Sequence, residues 1–95
     1  MIGSGAAVSN TVLVNGGALQ ATTLTLGTNG ASYNSLVISN GGSVYDTGPV
    51  TIGFNASYNS ALVATGGTWN LGGQTLTLGF GAATGNVLTI SGDIQ

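Results

Sequence analysis

The only carboxylate side chains among the 95 residues belong to Asp46 and Asp93, and the chain has no Lys, Arg, His or Cys. Asp46-Thr47-Gly48 has the residues of the triplet with which acid proteases hold a water-activating carboxylate. That chemistry needs two carboxylates sharing one proton. Asp93 stands in Ser91-Gly92-Asp93-Ile94, so a second triplet would have to come from another chain. A plain Asx turn ahead of Pro49 accounts for the same residues. Gly79–Gly85, GFGAATG, has the glycines of a phosphate loop but neither its lysine nor a following helix. Hydroxyls are abundant, yet a Ser or Thr nucleophile needs a base, and there is no His or Lys to serve. Metal sites need His, Cys or clustered carboxylates, and the Asp-bearing nonapeptide of calcium β-rolls is absent. The expectation is therefore a protein that is not an enzyme, with no catalytic residue, no cofactor and no metal.

The missing cations exclude further classes. Nothing neutralises phosphates, so nucleic acid is not an expected partner. Nothing attracts anionic lipid either. No apolar run approaches the about 18 residues of a spanning helix, so membrane insertion is not expected. The opening MIGSGAAVSN has no basic segment and no apolar segment, so it is not a signal peptide. The lack of cysteine suits a reducing compartment or an exported protein that does without disulfides. Low charge and many β-branched residues argue against disorder.

What remains is repetition. Gly-Gly corners fall at Gly16-Gly17, Gly41-Gly42 and Gly66-Gly67, 25 residues apart, and the next step lands on Ser91-Gly92. Three positions after each corner begins stands an apolar residue: Leu19, Val44, Trp69, Ile94. Three positions before it stands another: Leu13, Ile38, Val63, Leu88. TLTLG (Thr23–Gly27), PVTIG (Pro49–Gly53) and TLTLG (Thr75–Gly79) recur at a spacing of 26. ASYNS occurs at Ala31–Ser35 and Ala56–Ser60 and degrades to AATGN at Ala82–Asn86. The whole chain, residues 1–95, reads as one repeat domain of roughly three and two-thirds copies with no evident caps. The fourth copy has two readings. One keeps the 25-residue step, with Ser91 over Gly66; the other takes a one-residue shift that puts Leu88 and Ile90 over Leu36 and Ile38.

Polar and apolar residues alternate within TLTLG, the period of a half-buried strand, and no segment has a helical apolar pattern. Short strands separated by Gly corners can coil once around a core, and parallel coils stack about 4.8 Å apart. The predicted fold is all-β: a parallel β-solenoid, or β-helix, of 25–26 residues per coil and nearly four coils. Parallel crossovers favour the right hand. Core ladders are expected at Leu24, Val50 and Leu76; at Leu26, Ile52 and Leu78; at Leu19, Val44, Trp69 and Ile94; and at Leu13, Ile38, Val63 and Leu88. Surface ladders are expected at Thr25, Thr51 and Thr77, at Tyr33 and Tyr58, and at Asn34 and Asn59. The corner glycines Gly16, Gly17, Gly41, Gly42, Gly66, Gly67 and Gly92 are expected to supply positive φ. Pro49 lacks the N–H of a ladder and should sit first in its strand, which sets a full-length strand in the second coil in question.

These motifs resemble a known repeat. Leu76–Gly79 (LTLG), Leu88–Gly92 (LTISG) and Gly66–Trp69 (GGTW) are similar to the β-strand repeat of bacterial autotransporter (type V secretion) passengers and PEP-CTERM-associated surface proteins. The resemblance covers essentially all of the chain. It implies export, a right-handed β-helix, an extracellular or cell-surface location, and a stalk, adhesin or matrix role. The expected function is a structural solenoid that stacks end to end on copies of itself into a filament. One alternative is a stretch of a longer adhesin passenger whose Tyr33, Tyr58 and nearby Asn side chains stack on glycans. Another is ice binding through Thr23/Thr25 and Thr75/Thr77, an array that Pro49 interrupts.

Overall fold

A computed structural model describes all residues, Met1–Gln95, and contains twelve strands and no helix. Each coil contributes three strands. Coil 1 holds β1 (Ile2–Ser4), β2 (Thr11–Asn15) and β3 (Ala18–Ala21). Coil 2 holds β4 (Leu24–Thr28), β5 (Ser35–Ser39) and β6 (Ser43–Asp46). Coil 3 holds β7 (Val50–Phe54), β8 (Ser60–Val63) and β9 (Thr68–Asn70). Coil 4 holds β10 (Leu76–Phe80), β11 (Val87–Ile90) and β12 (Asp93–Ile94). The strands form three four-stranded sheets, β1-β4-β7-β10, β2-β5-β8-β11 and β3-β6-β9-β12. Every pairing is parallel, so the fold is a three-sided β-solenoid of four coils.

Alternation selects the inward residues. Leu24, Leu26, Val50 and Ile52 on the first sheet, Leu36, Ile38, Ala61 and Val63 on the second, and Val44 and Trp69 on the third close into one core. Thr25, Thr51 and Thr77 pair in register on the opposite face of the first sheet and remain half-buried. The columns Leu24–Val50–Leu76, Leu26–Ile52–Leu78 and Leu19–Val44–Trp69–Ile94 stand as their spacing predicts. Leu78 and Ile94 lie partly exposed because no coil covers them from beyond coil 4.

The fourth expected ladder is corrected. Leu13 pairs with Val37, points outward and is 56% exposed. The column through Ile38 and Val63 contains Val14 and Ile90 instead, and Leu88 pairs with Ala61. Both errors have one cause. Between the inward column of the second sheet and that of the third, the chain advances five residues in coil 1 (Val14 to Leu19), six in coil 2 (Ile38 to Val44), six in coil 3 (Val63 to Trp69) and only four in coil 4 (Ile90 to Ile94). Strands that are counted back from the glycines therefore slip. Of the two readings of coil 4, the structure has Leu88 and Ile90 in the columns of Leu36 and Ile38. The displacement is two residues rather than one, since Ile90 pairs with Val63 at a separation of 27 while Ile94 pairs with Trp69 at 25.

The paired corner glycines serve two different needs. Gly41 has φ +82°, a conformation that costs L-residues strain but glycine none. Gly42 has no positive φ, but a Cβ there would stand 2.2 Å from the Val14 carbonyl oxygen of the coil below. Gly17, Gly67 and Gly92 likewise lie outside the positive-φ region expected of them. Pro49 lies just before β7, which keeps all five residues, and its carbonyl accepts the Leu24 N–H. The missing N–H thus removes no rung from the ladder.

The register makes a sharp contrast testable. Ile38→Ala should cost about 2–5 kcal/mol, the range for emptying a sealed core position. Leu13→Thr should stay within about 0.5 kcal/mol, as for an exposed site. Urea unfolding of the two variants measures both; equal losses would contradict the register.

Candidate functional site

The connection between the first and second strands carries the densest polar structure. Ser9, Tyr33, Tyr58 and Gly85 occupy corresponding positions in the four coils, and all have positive φ, between 58° and 68°. The turn at each of them precedes an asparagine: Asn10, Asn34, Asn59 and Asn86. Asn34 and Asn59 are 0% exposed, which corrects their expected place on the surface. With Asn10, which is exposed, and Asn86, which is half-buried, they form a ladder through all four coils whose two middle rungs are internal.

One rung has several parts. The backbone N–H and side-chain Nδ2 of Asn34 both donate to Oδ1 of Asn59, at 3.0 and 3.1 Å. Asn10 makes the same pair of bonds to Asn34, and Asn59 makes it to Asn86. Nδ2 also reaches a carbonyl of the coil below: Ala7 from Asn34, Ala31 from Asn59 and Ala56 from Asn86. Buried amides are tolerable when paired in this way. Room for them comes from the glycine that ends each first-sheet motif. A Cβ on Gly3 would stand 2.3 Å from Asn34 Nδ2, on Gly27 2.2 Å from Asn59 Nδ2, and on Gly53 2.2 Å from Asn86 Nδ2. The final glycine of TLTLG is thus a seat for the asparagine of the next coil. Asn10 and Asn86 were not read as members of the ladder from sequence. AATGN keeps the asparagine while losing the tyrosine, and spacings of 24, 25 and 27 hide the column.

Aromatic columns flank the ladder. Tyr33 and Tyr58 stack as expected, with ring centroids 5.5 Å apart and planes 11° from parallel. Phe54 and Phe80 stack at 5.1 Å and 10°, a pair that sequence reading did not single out. Each tyrosine gives one face to the other, and a Cβ on Gly85 would stand 2.4 Å from the Tyr58 ring, so that ring lies over the glycine.

Asp46 departs from its sequence reading. It closes β6 and is fully buried, and its Oδ2 accepts the indole N–H of Trp69 from the coil above. Oδ1 has no partner. There is thus no Asx turn at Pro49. Asp93 lies on the exposed end of β12 in a different column, so the fold does not bring the two carboxyls together. The role of Asp46 follows from Trp69: a buried indole N–H requires an acceptor. A signal existed in the sequence, because a 25-residue step puts Asp46 between apolar Ala21 and Leu71. Burial raises the Asp46 pKa above its ordinary value of 3.8, and the Trp69 bond offsets part of that rise.

Two outcomes follow. Asn59→Ala leaves two Asn34 donors without an acceptor and should cost at least about 2 kcal/mol in urea unfolding. For Asp46, the folded state holds its proton more tightly than the unfolded chain. The stabilisation is complete below the unfolded pKa and is lost as pH rises through the folded pKa. Thermal midpoints should therefore fall between pH 3 and neutrality, and Asp46→Asn should flatten that slope. A midpoint that rises over the same range would refute this sign.

Comparison with known protein families, curated proteins and solved structures finds no match to this chain.

Proposed function

We propose that this chain is a structural element whose copies stack coil upon coil into a filament, stalk or matrix. One observation carries the reading. Leu78, Ile90 and Ile94 belong to columns that are sealed in coils 2 and 3, yet in coil 4 they are 37–47% exposed. Strands β10, β11 and β12 pair on one side only. Their free side has the composition of a core and the backbone groups of a parallel sheet edge, which is a template for a further strand. Coil 1 offers the same columns, with Ile2, Val14 and Leu19 in the positions of Leu78, Ile90 and Ile94. A head-to-tail contact between such faces does not close on itself and propagates as a fibre.

The reading extends to an exported protein at the cell surface, supported by the resemblance of the LTLG, LTISG and GGTW strands to autotransporter-type repeats. Electron microscopy of the purified chain and fibre diffraction provide the test. The expected result is unbranched filaments with a meridional spacing of about 4.8 Å. Monodisperse particles at every concentration would refute the proposal.

A further inference from the structure

Resting on that stacking reading, we propose that the asparagine ladder continues across the joint between copies: Asn10 of one copy seats on Gly79 of the copy below and fixes the direction and register of the stack. The bonding capacity left over at the two ends of the ladder is complementary. Within the solenoid each rung uses a glycine seat, an alanine carbonyl, and the N–H and Nδ2 of the lower asparagine directed at the Oδ1 of the upper one. In coil 4 most of these groups have no partner within the chain. Within the chain the Asn86 N–H has no acceptor, and its Nδ2 makes one bond, to Ala56. The Ala83 carbonyl, in the position of Ala56, accepts nothing. A Cβ on Gly79 would meet nothing closer than 3.9 Å, whereas on Gly53 it would meet Asn86 at 2.2 Å. In coil 1, Asn10 spends its N–H and one Nδ2 bond on Asn34, and its Oδ1 accepts nothing.

Coil 1 therefore has the acceptor and the spare amide hydrogen that coil 4 requires. Coil 4 has two donors, a carbonyl and an open seat. Ser9, at φ 60°, already holds the turn that aims the other ladder asparagines inward. The contact has a polarity: coil 1 lacks a free donor pair and coil 4 lacks a free Oδ1, so like ends do not match.

The test uses the full chain and Gly79→Ala. The added methyl group meets only the Ala83 Cβ, at an ordinary 3.9 Å, in the single molecule but fills the seat at the joint. Gly73→Ala is the control, since Gly73 has a similar φ of +76° and open space but lies off the ladder. Gly79→Ala should melt like Gly73→Ala, yet raise the critical concentration for filaments at least about 100-fold, while Gly73→Ala elongates like the unmodified chain. Its coil 1 is intact, so substoichiometric amounts should cap and shorten filaments of the unmodified chain. Asn10→Ala, which keeps the seat but removes the acceptor, should raise the critical concentration about tenfold. Filaments of Gly79→Ala and Asn10→Ala that match those of the unmodified chain would overturn the ladder joint and leave stacking intact. An unmodified chain that never polymerises would overturn stacking and the joint together.

Discussion

Everything in this molecule depends on one constraint: the backbone of a coil is hydrogen-bonded to the coils above and below it. All nine strand pairings join successive coils, and none joins two strands of the same coil. A lone coil would fix about 25 backbones and gain almost no ladder in return. Order arises only between neighbours, as in other one-dimensional repeat architectures. The same constraint places each side chain about 5 Å from its counterpart in the next coil. Charged columns would repel themselves at that distance, whereas threonine, asparagine and aromatic columns attract. The absence of Lys and Arg and the near absence of acids follow from the stacking geometry.

The asparagine ladder solves a problem that the strands create. Where the chain turns from the first sheet to the second, its backbone groups leave the ladders and need other partners. Asparagine supplies an acceptor and donors in one side chain. It enters the interior because the preceding residue adopts positive φ and the glycine one coil below leaves it room. Tyrosine is a poor choice for such a φ. Tyr33 and Tyr58 hold it nonetheless, stacked on each other and followed by fully bonded amides. The turn is thus held by its neighbours above and below rather than by its own preference.

This division explains what the sequence revealed. Strand columns were legible because alternation and a fixed step both point to them: Leu26, Ile52 and Val44 are each named by period alone. The corners misled because the step between the columns they join differs, six residues from Ile38 to Val44 but four from Ile90 to Ile94. Counting from Gly16 moved Leu13 inward, and counting from Ser91 moved Leu88 over Val63. The rung asparagines were visible as repeats, but their burial was not. An amide beside an exposed tyrosine reads as surface until the seat on Gly27 or Gly53 is known, and that seat lies more than 30 residues away in sequence.

Asp46 and Trp69 show how such a lattice absorbs a local exception. The column of Leu19, Val44 and Ile94 admits one much larger side chain at Trp69. An indole brings an N–H into the apolar cluster formed by the strand columns, and leaving it unpaired would cost about 1–3 kcal/mol. The acceptor has to come from an adjacent column one coil away, because the nearest positions in its own column are apolar. Asp46 is at such a position, where coil 1 has Ala21. One of its oxygens is used and the other is left without a donor. A neutral carboxyl fits this pocket better than an ionised one, which is why burial raises its pKa. The exception is confined to one pair: the columns on either side keep the register of the rest of the solenoid, and coil 3 still pairs with coil 4 through Trp69 and Ile94.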